Sequence, residues 1–158
     1  MKQKLDMQGS NELMFGAELL DGRVLQGLQD RFCACNNLYC VCLSQMQGVV
    51  TKAYGSKEEL NYIHEKVGMA RHIVLLNRLI TSEMEDVVEE PLEEDYLKMN
   101  GVAIRVGGKI AAIWIVIGVL SDIAAPEQEI PENIQKTTTK QYYNSCLLYT
   151  SPSPRDRG

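Results

Sequence analysis

Gly101-Val-Ala-Ile-Arg-Val-Gly-Gly-Lys-Ile-Ala-Ala-Ile-Trp-Ile-Val-Ile-Gly118 is the stretch whose reading decides the fold. Gly107-Gly108 sets side by side two residues that tolerate positive φ, which a tight hairpin turn requires. The flanking runs, Tyr96 to Val106 with a bend expected at Asn100-Gly101, and Lys109 to Leu120, read as strands. Strand side chains alternate between faces, so Ile113, Ile115 and Ile117 point one way and Trp114 and Val116 the other. A strand apolar on both sides needs cover on both and is expected at the centre of a sheet.

Working outward, Asp86 to Leu92 contains Val87-Val88 but also Pro91, which suits an edge strand. Upstream, Ser56-Lys-Glu-Glu59 is a capping box, and Leu60, Ile63, Val67, Ala70, Val74 and Leu76 follow at helical spacing. One long helix, or two joined near Gly68, should reach about Thr81. Leu38 to Leu43 and Gly48 to Ala53 read as a hairpin. Before it, Leu19, Leu20, Val24, Leu25, Leu28 and Phe32 form the apolar side of a helix, firmest over 22–34, with Arg23, Gln26, Gln29, Asp30 and Arg31 opposite. Asn36-Asn37 ends it.

This order predicts an α+β fold: an antiparallel sheet of about five strands with helices mainly on one face. The expected organisation is a lead-in over 1–16, a domain over 17–123, an acidic proline-bracketed linker over 124–136, and the start of a helix over 137–145. The remainder, 146–158, runs Cys-Leu-Leu-Tyr-Thr-Ser-Pro-Ser-Pro-Arg-Asp-Arg-Gly. It resembles translated sequencing-adapter sequence and is expected not to belong to the protein, which would then continue differently beyond about Ser145.

Composition narrows the function classes. The chain is 45% apolar, enough for one buried core, and carries a formal charge of −5. Arg155, Arg157 and Asp156 together contribute +1, so the part before 146 carries −6. No Lys/Arg cluster stands out, which disfavours nucleic acid. No signal-peptide core is visible at the N-terminus. The most apolar run, Ile110 to Leu120, is far short of the roughly twenty residues of a spanning helix. A cytoplasmic location without membrane contact is expected, with the cysteines as thiols.

The chemistry-bearing groups are few. Cys33, Cys35, Cys40 and Cys42 could hold zinc as four thiolates, but the usual C-x2-C spacing is missing and core packing is the stronger reading. His64 and His72, eight apart on one helix, would stand roughly 12 Å apart, too far to share a metal. Glu83, Glu85, Asp86, Glu89, Glu90, Glu93, Glu94 and Asp95 read as a solvated edge that discourages strand pairing rather than as catalytic carboxylates. Gly107-Gly108-Lys109 lacks the phosphate-loop spacing, and neither G-x-S-x-G nor H-E-x-x-H occurs. No catalytic residue, metal or cofactor is expected. Trp114, Ile113, Ile115, Val116 and His72 are the candidates for a ligand pocket, against ordinary core.

The helix Val24-Leu-Gln-Gly-Leu-Gln-Asp-Arg-Phe32, leading into the strand Leu38 to Leu43, resembles the start of PAS-like bacterial sensor domains, especially the PocR-type ligand-binding group. The stretch 101–118 is similar to the final hairpin of such a sheet, and the resemblance spans about 17–122. Gly48 to Gly55 carries no cysteine where PocR-like domains often have a cluster, so no binding residue is carried over. The resemblance implies a PAS/GAF-like input domain of a larger signalling protein, such as a histidine kinase or cyclic-dinucleotide enzyme. It also implies a small-molecule ligand and a homodimer of the full-length protein. The alternative from another class is a ligand-free dimerisation module.

Overall fold

The computed structural model of the protein describes residues 21–82, 84–126 and 130–150. The lead-in, Leu19, Leu20, Glu83 and most of the adapter-like tail lie outside them. Helix α1 (Gly22–Asn36) begins where Asp21 accepts from the Arg23 amide at 2.9 Å and ends at Asn37, which turns left-handed at φ 56°. Asn is one of the few side chains that tolerates that conformation. The strands β1 (Tyr39–Ser44) and β2 (Gly48–Val49) follow. β2 is much shorter than the expected run to Ala53, because neighbouring side chains take over its pairing. Thr51 Oγ1 accepts from the Cys42 amide at 2.9 Å. The Gln26 amide pairs with Lys52 as a strand would, Nε2 donating to the carbonyl at 3.0 Å and Oε1 accepting from the amide at 2.8 Å.

The capping box forms as read, with Ser56 Oγ accepting from the Glu59 amide and Glu59 Oε1 from the Ser56 amide. The helical pattern behind it divides into α2 (Lys57–Val67) and α3 (Met69–Thr81) at Gly68, whose φ of 81° no helix continues through. Then come β3 (Val87–Glu89), β4 (Leu97–Val106), β5 (Lys109–Val119) and α4 (Thr139–Thr150).

The five strands form one antiparallel sheet in the order β2-β1-β5-β4-β3. The α+β class, the central place of β5 and the edge position of the Pro91-flanked strand are therefore found as expected. Gly107 and Gly108 make the β4–β5 turn with φ of 62° and 84°. The irregularity of β4 falls between Ile104 and Arg105, not at Asn100-Gly101. Gly101 serves a different end: a Cβ there would stand 3.2 Å from Leu79 Cδ1 and 3.5 Å from Leu75 Cβ, so its absence lets α3 lie close on the sheet.

The helices do not gather on one face but divide two and two, as the two-sided apolar pattern of β5 demands. On the first face α2 and α3 bury Ile63, Val67, Leu75 and Leu79 against Tyr39, Met99, Ile113, Ile115 and Ile117. On the second face α1 and α4 bury Leu25, Cys33, Tyr142 and Cys146 against Cys40, Cys42, Val102, Trp114 and Val116. α1 is rotated from the expected orientation: it buries Leu25, Gln29 and Cys33, while Val24 and Leu28 are 58% and 46% exposed.

The described residues of the 124–136 segment, 124–126 and 130–136, pack against the domain. Ile134 is buried, Ala125 and Ile130 pack on the first-face core, and Thr137 forms a parallel bridge with Leu120. α4 passes through the boundary expected at 145 and buries Cys146 beside Tyr142. Among the described residues no helix is long and apolar enough to cross a membrane.

Candidate functional site

A cavity of about 60 Å³ opens on the first face, between the middle of the sheet and the α2–α3 joint. Its floor is apolar: Tyr39, Val41 and Leu43 of β1 with Ile115 and Ile117 of β5. Leu60 and Ile63 of α2 form one wall, Ala53 and Tyr54 another. The exposed side chains of Val49, His64 and Met69 mark the mouth, and His72 of α3 closes the depth.

The two histidines meet because the helix breaks. On one continuous helix they would be roughly 12 Å apart; the turn at Gly68 brings their rings to 6.3 Å between centroids, within 10° of parallel. His64 stays at the surface, whereas His72 is 5% exposed. His72 Nδ1 lies 3.0 Å from the Gly68 carbonyl oxygen. A carbonyl only accepts, so in the neutral ring Nδ1 carries the proton and Nε2 keeps a lone pair. Nε2 has no hydrogen-bond partner among the described residues. Burial pushes the pKa of His72 below its ordinary value; His64 pushes the same way and the bond to Gly68 opposes both.

Beside the cavity, the Tyr39 hydroxyl donates to Glu59 Oε2 and accepts from the Gln135 amide at 2.8 Å. Burial, then the neighbouring Glu59, pushes the Tyr39 pKa up. For Glu59 burial acts upward too, but the bonds from Tyr39 and Ser56 outweigh it and hold the carboxyl below its ordinary value. These groups anchor one wall as a carboxylate accepting from a phenol.

The residues expected to form a pocket do not form one lining. Ile115 and His72 reach the cavity, joined by Ile117, and Ile113 lies in the same core without lining it. Trp114 and Val116 face the second side, where the Trp114 indole donates to Gln29 Oε1 at 3.2 Å. That oxygen also accepts from Thr51 Oγ1 at 2.6 Å, and Gln29 Nε2 donates to the Lys52 carbonyl at 2.8 Å. Gln29 is wholly buried and satisfied at both ends.

Cys33, Cys40 and Cys42 are buried on the second face and Cys35 is exposed. Burial pushes the Cys42 thiol up to about 12. Among the described residues no three His, Cys, Asp or Glu side chains come together as metal ligands. The acidic edge is ion-paired: Asp86 with Arg105 at 2.7 Å, Glu90 with Arg78 at 3.4 Å and Arg71 at 3.8 Å, and Glu94 with Lys66 at 3.9 Å.

Sequence reasoning passed over His64, because spacing on an unbroken helix separated it from His72; Gly68 between them was the available signal. Tyr39, Tyr54 and Met69 carried no local pattern that marks a pocket. Comparison with known proteins found no matching family model, curated protein or solved structure.

Proposed function

We propose that this chain is a small-molecule-sensing, signal-input domain of PAS/GAF-like kind, cytoplasmic and part of a larger bacterial signal-transduction protein. The observation that carries this reading is the position of β5 between a cavity and a helix. Ile115 and Ile117 line the cavity on one face. On the other, the Val116 carbonyl accepts from the Tyr142 hydroxyl of α4 at 3.1 Å. Beneath the Tyr142 ring sits Gly118, where a Cβ would come within 2.5 Å of Tyr142 Cδ1. Alternation along one strand thus joins an occupant of the cavity to the seat of α4 over a few residues. The resemblance of the α1–β1 entry and of the closing hairpin to PAS-like sensors supports the same reading.

The mechanism is population shift. A ligand that prefers one packing of β5 against α2 and α3 biases the seat of α4, and the effect equals its difference in affinity for the two packings. The test combines melting with hydrogen exchange across a panel of small molecules. A ligand should raise Tm, as linkage requires, and alter exchange at the amides of α4. A ligand that raises Tm with α4 exchange unchanged sinks the transmission step.

One observation favours the other class. Val24 and Leu28 give α1 an exposed apolar strip of the sort a second copy could cover. A ligand-free dimerisation module would show a Tm that follows protein concentration and no small-molecule response.

A further inference from the structure

We propose that the ligand is a small, mostly apolar molecule whose one hydrogen-bond donor is received by His72 Nε2 at the closed end of the cavity. The inference deepens the sensory reading: it rests on the cavity being a binding site, though not on transmission to α4.

Three observations carry it. Aliphatic and aromatic side chains form the floor, so the ligand's body is apolar. At about 60 Å³ the space is less than half the roughly 150 Å³ that accommodates a benzene, so three or four heavy atoms enter and any remainder emerges past His64 and Met69. His72 is 95% buried, and its Nδ1 is committed to the Gly68 carbonyl. That leaves a buried acceptor with no partner among the described residues, which costs free energy until a donor reaches it. An alcohol, an amine in its neutral form or an undissociated acid meets the description. A ketone or ether of equal shape brings only a second lone pair.

The break at Gly68 is what builds this arrangement. His72 lies in the first turn of α3, four residues beyond the carbonyl that fixes its tautomer. The ring is held by the Gly68 carbonyl and lies parallel to the His64 ring, so the acceptor is set before any ligand arrives.

The test is a nitrogen-15 NMR titration of the full chain with 2-propanol and with acetone, which share a branched four-atom skeleton but differ in the donor. With 2-propanol the Nε2 resonance should move as a lone-pair nitrogen does on accepting a hydrogen bond, together with the methyl signals of Ile115 and Ile117. Affinity for 2-propanol should exceed that for acetone by about five-fold or more, one hydrogen bond's worth. In His72→Leu the preference should vanish while both probes still perturb the isoleucines. If that variant does not fold, the wild-type Nε2 shift decides alone. Equal affinities, or an unmoved Nε2, overturn the donor assignment while leaving the cavity a ligand site. Silence of Ile115 and Ile117 toward both probes overturns the site itself. Zinc bound between His64 and His72, and not displaced by 2-propanol, would reassign the pair to a metal. Failure of the transmission step would appear separately, as binding without change at α4.

Discussion

The two faces of the sheet are closed by different balances of apolar packing and hydrogen bonding. On the first, α2 and α3 press leucines and isoleucines onto the strands around a cavity where the fit is incomplete, and the buried bonds between layers join tyrosines at its side, Tyr39 to Glu59, and Tyr62 to Tyr96 at 2.7 Å. On the second, helices are tied to the sheet by directional bonds. Gln29 holds Trp114, Thr51 and Lys52, and the Tyr142 hydroxyl donates to Asn100 Oδ1 at 2.6 Å as well as reaching Val116. Apolar packing has no preferred direction and can settle around an occupant, whereas a buried hydrogen bond has one geometry and a high cost when lost. On the sensory reading proposed above, the first face would receive the ligand and the second would report it.

The sharpest way to break this comparison is at the first face. Leu79 is fully buried and touches the site of Gly101. Leu79→Ala should cost about 3 kcal/mol by cavity formation, read as a lower urea midpoint. Hydrogen exchange should show α4 still docked. Loosening of α4 in this variant would mean that the faces are not separable.

Gly118→Ala attacks the second face. The rigid Tyr142 ring stands 2.5 Å from the new Cβ and is itself wholly buried, so either α4 lifts or β5 shifts. We expect about 2 kcal/mol of destabilisation, with faster exchange confined to α4. A variant as stable as the wild type, with α4 protected, would remove the close-seat argument.

Gln29→Leu measures the directional bonds themselves. It keeps most of the volume but removes the oxygen that accepts from Trp114 Nε1 and from the Thr51 hydroxyl, and one of the two donors to the Lys52 carbonyl, at a cost of about 1.5 kcal/mol. Tryptophan fluorescence should report the change around Trp114. If stability rises instead, the network is dispensable and the two faces differ less than argued.

The smallest effect is one of pH, and it belongs to the first face. His72 has a folded pKa below its ordinary 6.5, so below that pH the unfolded chain binds the proton first and stability falls with acidification. Glu59, held below 4.5, adds stability above that value and loses it as pH falls through its folded pKa. Both signs agree. Urea midpoints should therefore drop between pH 7 and 5 in the wild type, and less steeply in His72→Gln. Identical slopes in the two proteins would show that His72 does not titrate with folding.

How legible each region was follows from what kind of interaction built it. The glycine pair, the capping box and the two-sided isoleucine strand rest on local φ, local hydrogen bonds and period-two alternation, which neighbouring residues settle among themselves. α1 was misread because its stripe of Val24 and Leu28 is a local hydrophobic pattern, whereas burial of Gln29 depends on partners 22 and 85 residues away. The docked 130–137 segment looked like a linker, since Ile130 and Ile134 sit among prolines and acids with no periodicity to mark them.

By itself, the sequence determined an α+β chain, an antiparallel sheet with the Trp114 strand at its heart, and the places where turns and helix starts must fall. These follow from short-range rules that one residue imposes on the next few. Only the tertiary structure decided which side chains share a cavity: it folded the α2–α3 pattern at Gly68, set the His72 and His64 rings 6.3 Å apart, and brought Tyr39 and Tyr54 to the same space as Ile115. A pocket is space left over when distant segments pack, and no local pattern in the chain encodes what remains empty.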